Sequence, residues 1–303
     1  MEVLYSVPKD KKGKETLTHG TSLFPCGAYN RDIRQYITGE IPPHWHHDME
    51  IFLLTEGSAR ISFADSQYDL QPGEGFFANS GVLHGVSCPS GTVCRYHSMV
   101  FDPAILSGAP GSAYELLYLR PFMEQGASFR IYRPQNSEKD ERIARLFASA
   151  FDACSQKADG YEFAVRSFLS QIFLILREDS GTGSGRKNSQ QELRMKQMLS
   201  WLDKHYMEEI TTAQLADAAG ICVRECQRSF SNILHTTPIR YLNRRRITIA
   251  AEFLVSTDLP VSEIALCCGF DNPSYFAKQF KAITGMTPKD YRKKCSLAPA
   301  SYE

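Results

Sequence analysis

The feature that most limits how this chain can fold is a repeat near its end. Residues 210–242, "ITTAQLADAAGICVRECQRSFSNILHTTPIRYL", are answered by residues 259–292, "LPVSEIALCCGFDNPSYFAKQFKAITGMTPKDYR". Ala216 and Gly220 align with Ala265 and Gly269, 49 residues on. Phe230, Ile233, Thr237, Pro238 and Tyr241 align with Phe280, Ile283, Thr287, Pro288 and Tyr291, 50 residues on, so a single inserted residue separates the copies' registers. Each copy reads as a short helix, a sharp turn and a second helix. Thr211 or Thr212, and Ser262 after Pro260, mark helix starts. Ala216 and Ala265 are small enough to let the second helix come close. Gly220 and Gly269 sit where the chain must turn, and glycine tolerates the positive φ that such a turn needs. Ile221 and Phe270 plug the core behind it. Cys226 and Phe230, or Phe276 and Phe280, then recur at the i, i+4 spacing of a buried helix face. Two helix-turn-helix units follow, each with a second helix available to a major groove.

Between them, "RYLNRRRITIAAEFLV" (240–255) carries Leu242, Ile247, Ala250 and Leu254 as an apolar stripe. Sixteen helical residues span roughly 24 Å, against about 34 Å between successive major grooves on one face of DNA. With the width of the units it joins, such a helix can hold two readers one turn apart. Charge agrees with a polyanionic partner: residues 193–295 hold 15 Lys+Arg and 10 Asp+Glu, while the whole chain of 303 residues balances 34 against 34.

Upstream, the pattern changes twice. Residues 20–105 are short apolar or alternating runs broken by turn residues: a strand, a turn at Gly57, an alternating strand, a turn at Pro72-Gly73, a strand, a turn at Gly81 and another strand. That suits an antiparallel barrel or sandwich. From about 112 to 178 the period becomes helical. Ile143, Leu146, Phe147, Ala150, Phe151 and Cys154 share one face, as do Phe163, Phe168, Ile172, Phe173, Ile175 and Leu176. This helix pair either covers the barrel or meets a second copy of the chain. "DSGTGSGRKNSQQ" (179–191) has linker composition. The expected organisation is a barrel at 1–110, a helical dimerisation or packing segment at 111–178, a flexible linker at 179–192, a DNA-binding domain at 193–295 and a tail at 296–303. The fold class is α+β, in two domains: an antiparallel β-barrel with a following helix pair, then an all-α tandem helix-turn-helix domain.

No apolar run is long enough for a transmembrane helix, and the polar, lysine-rich start has no signal-peptide core. Nine cysteines with no C-x-x-C pair read as reduced thiols in a cytoplasm. Cys222 and Cys226 lack further ligands at the spacing a zinc site needs.

The C-terminal third, with its closing signature "EIALCCGFDNPSYFAKQFKAITGMTPKDYR", resembles the DNA-binding region of AraC/XylS-type transcription regulators over 193–295. The resemblance implies that the first part of each second helix touches bases: Arg224, Gln227 and Arg228 in copy one, and Asn272, Pro273, Ser274, Ala277 and Lys278 in copy two. Arg suits G, and Gln suits A. Pro273 and Ala277 offer no hydrogen bond, so copy one should discriminate sequence and copy two position the protein. Of Arg244, Arg245 and Arg246, the last is expected to pack structurally or pair with an acid, and one of the three to meet phosphate. Lys281, Lys289, Arg292, Lys293 and Lys294 are phosphate contacts or solubilising charge.

"HWHHDMEIFLLTEG" resembles the first cupin pattern (His44-x-His46, then Glu50 and Gly57), and "NSGVLH" the end of the second, with Asn79 in place of proline. His44, His46, Glu50 and His84 are thus a complete candidate set for a divalent metal. The same residues are read first as the lining of a polar effector pocket, with a metal site or a structural role as the alternatives. His47, alternating with His46, is expected to be exposed, and Trp45 to pack on the barrel's exterior. Together these resemblances imply a cupin-like sensing barrel that requires no cofactor, a divalent metal being the alternative. Its implied partners are double-stranded DNA, a small-molecule effector (a sugar or other carbon source), a second copy of the chain and RNA polymerase, with no membrane. The effect on transcription, activation or repression, stays open. The competing reading is a cupin metalloenzyme with a helical appendage, which has no need of a tandem repeat.

Overall fold

The computed structural model describes residues 14–64, 66–89, 92–180 and 190–296. Most of the expected linker and of the tail (181–189 and 297–303) lie outside the described residues. The described residues divide into two compact units, one built of 15–33, 43–180 and 190–192, the other of 14, 34–42 and 193–296.

The first unit is a pair of sheets. Strands are β1 (Cys26–Asp32), β2 (Glu40–His44), β3 (Met49–Gly57), β4 (Ala59–Phe63), β5 (Ser66–Leu70), β6 (Gly75–Ala78), β7 (His84–Ser87), β8 (Cys94–Phe101) and β9 (Phe129–Tyr132). Five form one sheet in the order β1-β8-β3-β6-β9 and four the other, β2-β7-β4-β5. In β3 the residues Met49–Phe52 and Leu54 are buried, because both faces of this part of the central strand are covered, while Thr55 and Glu56 at its far end are exposed. Met49 and Ile51 face outward with Phe77, Met99 and Phe101 onto helices. Glu50, Phe52 and Leu54 share the other face. There Phe52 stacks on Phe76 and Tyr96, with centroids 4.9 and 4.7 Å apart.

The covering helices are α3 (Glu138–Gln156) and α4 (Tyr161–Ser180), after α1 (Ala104–Ser107) and α2 (Arg120–Gln125). Ser137 caps α3 through the Asp140 amide. The expected face of α3 is buried: Ile143, Phe147, Ala150, Phe151 and Cys154 join Val165, Leu169, Ile172 and Leu176 against the sheet. Each of the Ile, Leu, Val and Phe side chains among them contributes about 1.5–3 kcal/mol of burial.

Four expectations change here. The segment 111–178 is not wholly helical, because β9 leaves it to pair with β6. The run read as one alternating strand folds into the hairpin β4–β5, pairing Ala59 with Leu70 and Phe63 with Ser66. Phe163 does not share the buried face of α4 and is 80% exposed. The span taken as linker is shorter, since α4 runs to Ser180 and the next helix, α5, begins at Gln190.

The second unit is helical: α5 (Gln190–His205), α6 (Thr212–Ala218), α7 (Val223–Leu234), α8 (Pro238–Ser256), α9 (Val261–Cys267), α10 (Pro273–Thr284) and α11 (Pro288–Ser296). Thr211 starts α6 with a capping box to Gln214. In copy two the helix begins at Val261 behind Pro260, so Ser262 lies inside it and caps nothing. The stripe on α8 is buried at Leu242, Ile247, Ala250 and Leu254. Its 19 residues make a rod of about 28 Å. On one side Ile247, Ala250 and Leu254 pack with Ile264, Ala265, Phe270, Phe276, Phe280 and Tyr291 of copy two.

Candidate functional site

Each helix-turn-helix positions its second helix by burying one face. In copy one Cys226, Phe230 and Ile233 are buried, which turns Arg224, Gln227 and Arg228 outward. Their side chains make no hydrogen bond or ion pair with other described residues. Glu225, half-buried in the first turn, pairs with Arg194 of α5 at 2.8 Å. In copy two Phe276 and Phe280 are buried, while Pro273, Ser274 and Lys278 are exposed and Ala277 is half-buried. Asn272 is the N-cap, and its Oδ1 accepts from the Ser274 and Tyr275 amides at 2.9 and 3.0 Å. Its carbonyl oxygen is therefore committed to the helix.

The turns differ. Gly220 and Gly269 both have positive φ, +63° and +77°. A Cβ on Gly220 would meet nothing within 4 Å, whereas one on Gly269 would stand 2.8 Å from the Tyr206 carbonyl and 2.9 Å from Arg246 Nη2 and the Met207 carbonyl. Arg246 explains the crowding. It donates from Nε to Tyr206 O (2.7 Å) and from Nη2 to Glu208 O (2.6 Å), and lies 5.5 Å from the Phe270 ring centroid. This bears out its structural reading. Its neighbours are held in ion pairs, Arg245 with Asp203 (2.7 Å) and Arg244 with Glu40 (3.0 Å). Arg292 is likewise engaged, donating to Leu254 O and Leu259 O at 3.0 and 2.7 Å. Lys281, Lys289, Lys293 and Lys294 are exposed.

The barrel brings His44, His46, Glu50 and His84 together where β2 ends and β3 and β7 begin. All four are buried, and one ligand atom from each lies within 4.8 Å of the others. Glu50 Oε2 is 3.0 Å from His84 Nε2 and 3.4 Å from His46 Nε2. On the far side of the rings, His46 Nδ1 donates to Asp48 O (2.8 Å) and His84 Nδ1 to Val82 O (2.9 Å). Each Nε2 is thus left facing inward, to carry a second proton or offer a lone pair. Burial alone would lower the His46 pKa, but the Glu50 carboxylate beside it raises it. Burial would raise that of Glu50, but His46 and His84 hold it well below the usual carboxylate range. Asn79 does not mimic proline. Its amide donates to Phe122 O and Ala127 O at 3.1 Å, fixing the loop that leads to His84. His47 is exposed as expected, and Trp45 is half-buried.

Two residues that carried no motif join this cluster. Glu15 donates its backbone amide to Trp45 O (3.0 Å), which carries its carboxylate to 3.7 Å from His44 Nε2 and 3.9 Å from His46 Nε2. His19 Nε2 is 3.6 Å from the same oxygen. Nothing in "KETLTHG" signals this, because the approach is made by backbone pairing about thirty residues away in sequence.

A divalent transition ion with bonds of about 2.1 Å holds neighbouring donors roughly 3.0–3.4 Å apart. The donor types and the 3.0 and 3.4 Å approaches to Glu50 fit such an ion. His44, His46, Glu50 and His84 are the residues that would hold it.

Comparison with known proteins agrees with both units. The AraC-like ligand binding domain matches residues 33–173, and a helix-turn-helix domain matches 215–294. The HTH-type transcriptional regulator YdeC of Bacillus subtilis, itself uncharacterized, is 30% identical over 289 residues, covering 94% of this chain and 97% of that protein. The HTH-type transcriptional activator RhaS of Citrobacter koseri is 26% identical over 278 residues, covering 91% and 97%. Among solved structures, ToxT from Vibrio cholerae O395 covers 92% of this chain and 100% of its own, at 11% identity and a TM-score of 0.45. No helix among the described residues is long and apolar enough to cross a membrane. The chain belongs to the AraC-type HTH transcription regulators, with a ligand-binding domain followed by a DNA-binding domain of two helix-turn-helix units.

Proposed function

We propose that this regulator reads DNA with the outward faces of α7 and α10, and that the buried histidine–glutamate cluster of the barrel is its effector site. The observation that carries the first half is the exposure of Arg224, Gln227 and Arg228 on a helix whose other face is locked in the core. Arg224 and Arg228 stand four residues apart, one above the other, and reach adjacent base edges or phosphates. Copy two, with Asn272 spent on its cap and Pro273 and Ala277 without donors, holds position through Ser274, Lys278 and the neighbouring lysines. Effector binding biases the chain between two arrangements of different DNA affinity.

The protein acts by binding and not by catalysis in this reading, which the burial of the whole cluster supports. It works in the cytoplasm on double-stranded DNA and touches RNA polymerase at the promoter. Two copies associate through the outward face of α4, where Phe163 and Leu174 are 80% and 55% exposed. Eleven residues apart, these two fall on one helical face.

The test is a titration of genomic promoter fragments with the full chain at rising salt. Real phosphate contacts make log K fall linearly with log salt, about 0.9 per phosphate neutralised. Binding indifferent to salt, or retained in full when Arg224 and Arg228 are both alanine, contradicts the reading.

A further inference from the structure

The cupin resemblance already implies that His44, His46, Glu50 and His84 suit a divalent metal; we propose that such an ion, of the first transition row, is the effector of this regulator and that Glu15 is a fifth donor to it. This rests on the reading of the cluster as the effector site and names what that site takes.

Charge comes first. Glu15 and Glu50 are 9% and 7% exposed, and neither is paired with a lysine or arginine among the described residues. Two buried carboxylates need compensation, because an isolated charge out of water costs several kcal/mol or more. The groups facing them are the imidazoles of His19, His44, His46 and His84. A divalent cation neutralises both carboxylates while leaving the rings neutral.

Ring orientation points the same way. A ligating histidine characteristically donates its other N–H to a carbonyl or carboxylate, which fixes the tautomer. His46 and His84 do so to Asp48 O and Val82 O. His46 Nε2, on a residue 2% exposed, has no hydrogen-bond partner and faces the centre of the cluster. Size excludes the alternatives. Nε2 and carboxylate oxygens 3.0–3.9 Å apart admit an ion and not a sugar ring, and two carboxylates repel an anion. Imidazole with carboxylate selects zinc, iron or nickel over calcium or magnesium.

Glu15 is what makes the site closed. The Glu15–Trp45 backbone bond sets its carboxylate over His44 and His46. His19 backs the carboxylate at 3.6 Å, and its Nδ1 meets the Tyr29 hydroxyl at 2.8 Å. His19 is thus a positioning residue. Five protein donors leave little room for a substrate at the metal. The ion instead ties the segment at Glu15 to the barrel, so that its binding is felt as a structural change.

The experiment uses the full chain, stripped with chelator and titrated with Zn2+ and Co2+ by calorimetry, with metal content measured on the purified protein and the Co2+ absorption spectrum recorded. One ion per chain is expected. Glu50→Gln and His84→Ala should abolish stoichiometric binding. Glu15→Gln should weaken it about 10–100-fold and change the Co2+ spectrum. His19→Ala should weaken it less, and His47→Ala, at an exposed neighbour, not at all. Circular dichroism checks that each variant folds, and the wild-type stoichiometry stands independently of them. Absence of a stoichiometric ion in wild type overturns the metal site. Undiminished affinity and an unchanged spectrum in Glu15→Gln overturn the fifth donor. Promoter-fragment binding, measured with and without Zn2+, separates the two levels. A bound ion that leaves DNA affinity unchanged removes the effector reading alone. DNA affinity that responds to Glu50→Gln in a chain binding no ion removes the metal alone.

Discussion

The two helix-turn-helix units are copies by sequence and opposites in how they spend their polar groups. Copy two is pinned. Arg246 bonds two carbonyls of the 206–208 loop, Gly269 is wedged against that loop, and Asn272 gives its oxygen to the start of α10. Copy one is looser. Gly220 faces open space, the cap of α7 is Cys222 with no side-chain bond, and Arg224, Gln227 and Arg228 stay unengaged on the surface. The second helix of copy one thus leaves Arg224, Gln227 and Arg228 unengaged, whereas copy two spends Asn272 and the groups around Gly269 on its own rigidity. A protein holding two readers on one rod gains from this. In the proposed reading the rigid unit fixes register, and the unit with unspent donors chooses sequence.

The largest expected effect breaks the comparison at the turns. Gly269→Ala adds a clash to an unfavourable φ and should cost about 3 kcal/mol. Gly220→Ala carries only the backbone penalty, about 1 kcal/mol. Urea unfolding of the two variants measures the gap, and equal costs would mean that copy two is no more tightly held than copy one. Next comes the readers' effect. Arg224→Ala or Arg228→Ala should weaken binding by about 1–3 kcal/mol and relax base preference at one position, as seen by anisotropy titration against a panel of single-base variants. The smallest effect belongs to copy two. Lys278→Ala should weaken all sequences alike, by under about 1 kcal/mol, and lower the salt slope by about one. A Lys278 variant that changes base preference would erase the division between the copies.

The repeat made much of this readable in advance. Helix faces follow from periodicity, so the burial of Phe230, Phe276 and Phe280 and the exposure of Arg224 and Arg228 could be inferred from spacing. The cluster of His44, His46, Glu50 and His84 was visible because "HWHHDMEIFLLTEG" and "NSGVLH" resemble the two cupin patterns. What spacing does not carry is partner choice over long separations. Arg292 looked like a free cation, but two carbonyls 38 and 33 residues away in sequence claim it. β9 was hidden in a helical stretch because a four-residue edge strand, Phe129–Tyr132, has too little alternation to stand out. Glu15 and His19 join the cluster only through the Trp45 backbone and the Tyr29 hydroxyl, contacts that no local pattern encodes.

The most direct test of the division between copies is selection of binding sites from random duplex DNA by the full chain, followed by sequencing. The account predicts two half-sites about 10–10.5 base pairs apart, with base preference concentrated in the half that Arg224→Ala and Arg228→Ala blur. Preference confined to the other half-site, or a single half-site with no second contact, would contradict it.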